Sequence, residues 1–177
     1  MESNQFPPYM IAMYANCVRI EAELAVRSFM ASYQAHERNG HADQIVGLLQ
    51  DALNHCAAIS RYFWPTSKGN FSETRGEALR AHFRIADDSP LHDRDLRNSL
   101  EHFDERLDKW VLGNPVGPII ASPIVAKIEI TQDGFGHVFK LLDPETDTLV
   151  LLGAVHEFGD LSREVSRLAM GNSCPDD

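Results

Sequence analysis

The chain has 177 residues, 44% hydrophobic and 24% charged, a balance that excludes a mainly disordered, collagen-like or disulfide-scaffold chain and supports one sizeable core. Sixteen basic against 26 acidic side chains give a formal charge of −10, which opposes non-specific attachment to nucleic acid or to an anionic membrane. No apolar run reaches the roughly 20 residues of a membrane helix, and the start lacks a basic-then-apolar secretory signal. Three cysteines cannot all pair within one chain, so the expected setting is the reducing cytoplasm.

Pro7-Pro8 suits a helix start, and Met10, Met13, Cys17, Ile20, Leu24 and Phe29 recur in steps of three to five; this predicts a helix over 8–37. Asn39-Gly40 breaks it. Ile45, Leu48, Leu49, Ala52, Cys56, Ile59 and Phe63 resume the spacing until Trp64-Pro65, predicting a second helix over 42–63 and, from the short connection, an antiparallel hairpin. Ser72-Glu73-Thr74-Arg75 opens a shorter helix with Leu79, Phe83 and Ala86 inward, ended by Asp88-Ser89-Pro90. From His92 to Leu112, Leu96, Leu100, Phe103, Leu107 and Val111 form one apolar stripe among charged residues, predicting a single amphipathic helix.

After Gly113-Asn114-Pro115 the composition changes. Val125–Thr131, Val138–Leu142 and Leu149–Leu152, separated by Asp133-Gly134-Phe135-Gly136 and Asp143-Pro144, read as a three-stranded antiparallel meander. Asp160 then caps a last short helix carrying Leu161, Val165 and Leu168. The expected fold is therefore a mainly helical α+β domain. A four-helix antiparallel bundle over 8–112 is followed, over 119–170, by a small antiparallel three-stranded sheet and a short C-terminal helix.

Packing explains the apolar members of Leu96-Arg97-Asn98-Ser99-Leu100-Glu101-His102 but not Arg97 and His102. On a helix these lie about 7.5 Å apart along the axis and roughly 140° apart around it. Asn98 falls one turn beneath His102, where it can orient the imidazole, and Arg94 and Arg106 continue the cationic strip. An Arg followed by Asn and, after three more residues, by His resembles the motif of the HEPN family (higher eukaryotes and prokaryotes nucleotide-binding). The likeness covers about residues 8–112; the C-terminal sheet lies outside the minimal family bundle, and Glu101, Asp104 and Glu105 flank the motif.

The resemblance implies a helical bundle that forms a homodimer, with the motif helices of both copies facing a shared cleft. It implies a metal-independent endoribonuclease acting on RNA, with Arg97 and His102 catalytic and Asn98, Arg94 and Arg106 supporting, without cofactor or metal. The alternative it implies is a non-catalytic binding or scaffold protein with a separate protein partner. Elsewhere, His156-Glu157-Phe158-Gly159-Asp160 lacks the second His of a zinc-protease helix and reads as a turn. Gly134-Phe135-Gly136 reads as a hairpin turn. No phosphate loop is present, the remaining histidines show no ligand spacing, and Cys17 and Cys56 read as core residues.

Overall fold

The computed structural model describes residues 6–67, 69–93, 95–113, 116–131 and 137–171, with Pro8 and Arg97 described in their backbone alone. The expected Asp133–Gly136 turn, Arg94, Cys174 and the C-terminal tail lie outside the described residues. Helix α1 (Pro8–Glu37) and helix α2 (Ala42–Phe63) form the predicted hairpin. The Gly40 N–H reaches back to the Ala35 carbonyl (2.8 Å) to close α1, while Asn39 adopts a left-handed φ of 54°.

The buried face of α1 differs in phase from the expected one. Ala15, Val18, Ala22, Ala25, Phe29 and Ser32 are buried, while Met13 and Ile20 are exposed. Small side chains let the two helix axes approach closely, so the Ala stripe rather than the bulky one faces α2. Ser32 also donates its hydroxyl to the Ile45 carbonyl (2.8 Å).

Helix α3 (Asn70–Phe83) packs on α1 and α2 and ends at Arg84, whose φ of 53° reverses the chain. That reversal buries Ile85 and exposes Ala86, which was expected inward. Gly76 makes the close approach of α3 to α2 feasible: a Cβ there would stand 2.5 Å from the Phe63 carbonyl oxygen. A 3-10 turn, Pro90–His92, leads onward, with His92 stacked on Trp64.

The single helix expected over 92–112 is two helices, α4 (Asp95–Glu101) and α5 (Phe103–Leu112), broken at His102 with φ −113° and ψ 36°. One local feature and one set of distant contacts accompany the break. Buried Ser99 donates its hydroxyl back to the Asp95 carbonyl (2.6 Å), a substitution for solvent that bends helices. Beyond the break, α5 turns away from the helical layer and lies against the sheet region. There Phe103 meets Phe139 edge-on at 5.2 Å, Lys140 Nζ stands 4.5 Å over the Phe103 ring, and Trp110 meets His137 at 5.8 Å. Only the first half of the motif helix therefore packs with α2.

The sheet is mixed rather than an antiparallel meander. Strands β1 (Ile119–Ile120) and β3 (His137–Val138) form a parallel pair, while β2 (Ile124–Val125), β4 (Lys140–Asp143), β5 (Thr148–Leu151) and β6 (Ala154–Glu157) form a second sheet in the order β2-β4-β5-β6. The expected first strand ends at Val125, because Ile128–Thr131 winds into a 3-10 turn. Buried Asp143 accepts the Ile128 N–H (3.0 Å) and holds that turn, and β2 runs parallel to β4. Leu152 and Gly153, both with positive φ (50° and 85°), fold the apolar run 149–155 into a β5–β6 hairpin.

Helix α6 (Gly159–Ala169) buries Val165 and Leu168 and packs on α1, where Phe158 stacks on Phe29 at 5.9 Å. The C-terminal helix thus joins the helical layer. The architecture is mainly helical α+β: packed N-terminal helices, a small mixed sheet and a C-terminal helix. Among the described residues, no helix is long and apolar enough to cross a membrane.

Candidate functional site

The motif residues lie at the junction of α4 and α5. Arg97 is in α4; its side chain, like the whole of Arg94, lies outside the described residues. Half-buried Asn98 stands one turn before His102 and accepts the His102 N–H on its backbone carbonyl (3.1 Å), so the helical hydrogen-bond ladder reaches the break. His102 leaves 56% of its side chain exposed and holds Nδ1 3.4 Å from a Glu105 carboxylate oxygen. That carboxylate favours the tautomer with a proton on Nδ1, which leaves Nε2 with a lone pair. Glu101 makes an ion pair with Arg61 of α2, tying the end of α4 to the hairpin.

Arg106 stands one turn after His102, its backbone N–H donating to the His102 carbonyl (3.1 Å). It is half-buried and lines a cleft of about 630 Å³ bounded by α2, the Pro90–His92 turn, α4, α5, β6 and α6. Leu53, Leu91, Leu96 and Leu161 give this cleft apolar walls. Asp93, Asp95, Glu157 and Asp160 place four carboxylates around it. The Asp93 carboxylate also caps α4 by accepting the Asp95 N–H (2.8 Å).

Two buried polar atoms in the cleft wall have no hydrogen-bond partner among the described residues: the Ser60 hydroxyl oxygen on α2 and His156 Nε2 on β6. Burial, and then the charge of Arg106, lower the His156 pKa from its ordinary value, while Asp93 and Asp95 act in the opposite sense. His156 is therefore neutral at pH 7. Cys56, also in the wall, is buried, and its thiol pKa is pushed up to about 12, so it is an inert side chain.

His156 was read from the sequence as part of a turn; it belongs to strand β6, paired with Leu149. The signal was the alternation Ala154-Val155-His156-Glu157, hidden because Leu152-Gly153 lacks the Asn-Gly or Asp-Gly pairing that marks a tight hairpin. Among the described residues, no group of three or more His, Cys, Asp or Glu side chains is placed to hold a metal ion. Compared with known proteins, the chain matches no family model, no curated protein and no solved structure.

Proposed function

We propose that this chain is a HEPN-like, metal-independent endoribonuclease whose site is completed by a second copy of itself. The observation that carries the reading is the position of His102, accessible at the α4–α5 break with Glu105 against Nδ1 and Asn98 one turn below. Cleavage of RNA by transesterification requires a base to take the 2′-hydroxyl proton, an acid to protonate the departing 5′-oxygen, and a cation for the crowded phosphate. His102 Nε2 takes the first role and Arg97 the third, its planar fork suited to phosphate. One imidazole cannot be base and acid in the same step, so the acid is His102 of a second copy.

The uncovered apolar residues Val111 and Leu112 at the end of α5, with Val116 beyond it, give such a copy a surface to bury. The test is incubation of fluorescent RNA with the protein in chelator. The expected result is cleavage yielding 2′,3′-cyclic phosphate ends, lost in Arg97→Ala and His102→Ala. Absence of cleavage, or equal cleavage by both variants, refutes the proposal.

A second reading, a non-catalytic binding protein on the same bundle, is favoured by the acidic setting of His102. Asp104, Glu105 and Asp108 all stand exposed on α5 and repel a polyanion. The same assay separates the two, since the binding protein leaves RNA intact.

A further inference from the structure

The cleft between α2, α5, β6 and α6 meets the motif region at Arg106 but does not include His102 among its lining residues, and its chemistry is distinctive. Among the described lining residues the side-chain hydrogen-bonding groups are mainly acceptors: four carboxylates and, in a neutral imidazole protonated on Nδ1, the His156 Nε2 lone pair, with the Ser60 hydroxyl able to accept as well as donate. Among the described lining residues Arg106 is the single guanidinium, so those groups carry an excess of negative charge. Acidic residues alone would be an ordinary solvated rim. What sets this cleft apart is that Ser60, only 3% exposed, and His156 Nε2 are both withdrawn from water without a partner. Leaving such atoms unsatisfied is costly, and a ligand supplying hydrogen-bond partners removes that cost.

We infer that the cleft is a binding site for a small organic cation of the aliphatic amine or guanidine class. Its charge is balanced by Asp95 and Glu157, its methylene body lies on Leu53 and Leu96, and its N–H groups satisfy Ser60 Oγ and His156 Nε2 once side-chain rotation brings these withdrawn atoms to the cleft surface. The volume of about 630 Å³ falls within the range of small-molecule sites, roughly 300–1,000 Å³. An anion of phosphate type is disfavoured, because one Arg106 faces four carboxylates.

Binding is pH-dependent, since a protonated His156 both loses its acceptor and repels a cation. The charges that act on His156 are Arg106 from α5 and Asp93 and Asp95 before and within α4, and Glu157 of β6, Asp160 of α6 and the protonated Cys56 thiol of α2 line the same cleft. Of these, only Arg106 adds to the repulsion.

The inference does not rest on the ribonuclease reading, and its test reads binding alone. Agmatine is titrated into the full chain by calorimetry at pH 7.5 and pH 5, with inorganic phosphate as the anionic control. The expected result is saturable one-site binding of agmatine and none of phosphate, weakening as pH falls far enough to protonate His156. Ser60→Ala binds three- to tenfold more weakly, and His156→Asn, whose amide oxygen accepts at any pH, loses most of the pH dependence. His102→Ala binds as the parent does. Failure of agmatine to saturate at millimolar concentration, preferential binding of phosphate, or unchanged affinity in Ser60→Ala overturns the inference. A folded His102→Ala variant that binds agmatine but does not cleave RNA keeps the two sites distinct.

Discussion

Replacing His102 by Ala separates a catalytic from a structural role, because the structure fixes how little folding energy this side chain holds. Its one described side-chain contact is the 3.4 Å approach to Glu105, between groups 56% and 63% exposed. Exposed pairs of this kind contribute about 0–0.5 kcal/mol after screening and lost side-chain entropy. In a chain of 177 residues, where 1 kcal/mol moves the melting temperature by about 2–4 °C, His102→Ala should lower it by no more than about 2 °C. Leu96→Ala is the contrast. Leu96 lies five residues before the end of the same short helix unit, is only 8% exposed and belongs to the main core, so truncation should cost about 2–5 kcal/mol, or about 4–20 °C. Differential scanning fluorimetry of both variants, run beside the RNA assay in chelator, gives the comparison. The reasoning is refuted if His102→Ala melts as low as Leu96→Ala, because the residue would then be holding the α4–α5 junction together rather than serving chemistry.

Burial raises the Asp143 pKa, but hydrogen bonds from the Ile128 and Glu145 N–H groups and from Thr146 outweigh it and hold the carboxyl below its ordinary value of 3.8. The stability this contributes is complete above pH about 4 and is lost as pH falls through the lower folded value; Asp143→Asn should flatten that acid limb and cost about 1–3 kcal/mol at pH 7, read by urea unfolding. Gly76→Ala gains about 1 kcal/mol of helix propensity but drives a Cβ to 2.5 Å from the Phe63 carbonyl, so a net loss of up to about 2 kcal/mol is expected on chemical denaturation. Leu112→Glu puts a charge on a residue 84% exposed, so it should leave the monomer's stability within about 0.5 kcal/mol while shifting a light-scattering dimer to monomer. A variant that remains dimeric would place the contact between copies elsewhere than the end of α5.

Helix limits were legible wherever backbone chemistry marks them. Pro8, Asn39-Gly40 and Pro65 bound α1 and α2 where the periodicity predicted. Which face of α1 is buried was not legible, because bulk was taken as the sign of burial, whereas close helix packing selects Ala15, Ala22 and Ala25 and leaves Met13 and Ile20 outside. The break at His102 has no Gly or Pro to announce it; it depends on Ser99 bonding back to Asp95 and on Phe139, thirty-six residues further along the chain, receiving Phe103. Strand pairs of two residues, such as β1 with β3, are too short for alternation to reveal. For the site, sequence spacing found Asn98, His102 and Arg106 on successive turns, but it gave no sign of the cleft that Arg106 lines. The cleft that Arg106 shares with His156 and Ser60 is assembled from α2, α5 and β6, and no local pattern encodes such a meeting.

Helix α5 contains no fully buried residue among its ten, and its ring contacts with the sheet region are Phe103–Phe139 near one end and Trp110–His137 near the other. Between these, the cleft and a second cavity of about 230 Å³ lie alongside it. Little apolar surface must be exposed for this helix to come away, while α2, with ten buried side chains, opens only when the whole core does. Amide hydrogens of α5 should therefore exchange with deuterium through a local opening and orders of magnitude ahead of those of α2, and denaturant should hardly alter their rate. The chain carries its motif at the start of this easily released segment, so the exchange of His102 and its neighbours reports on a motion that global unfolding measurements never register.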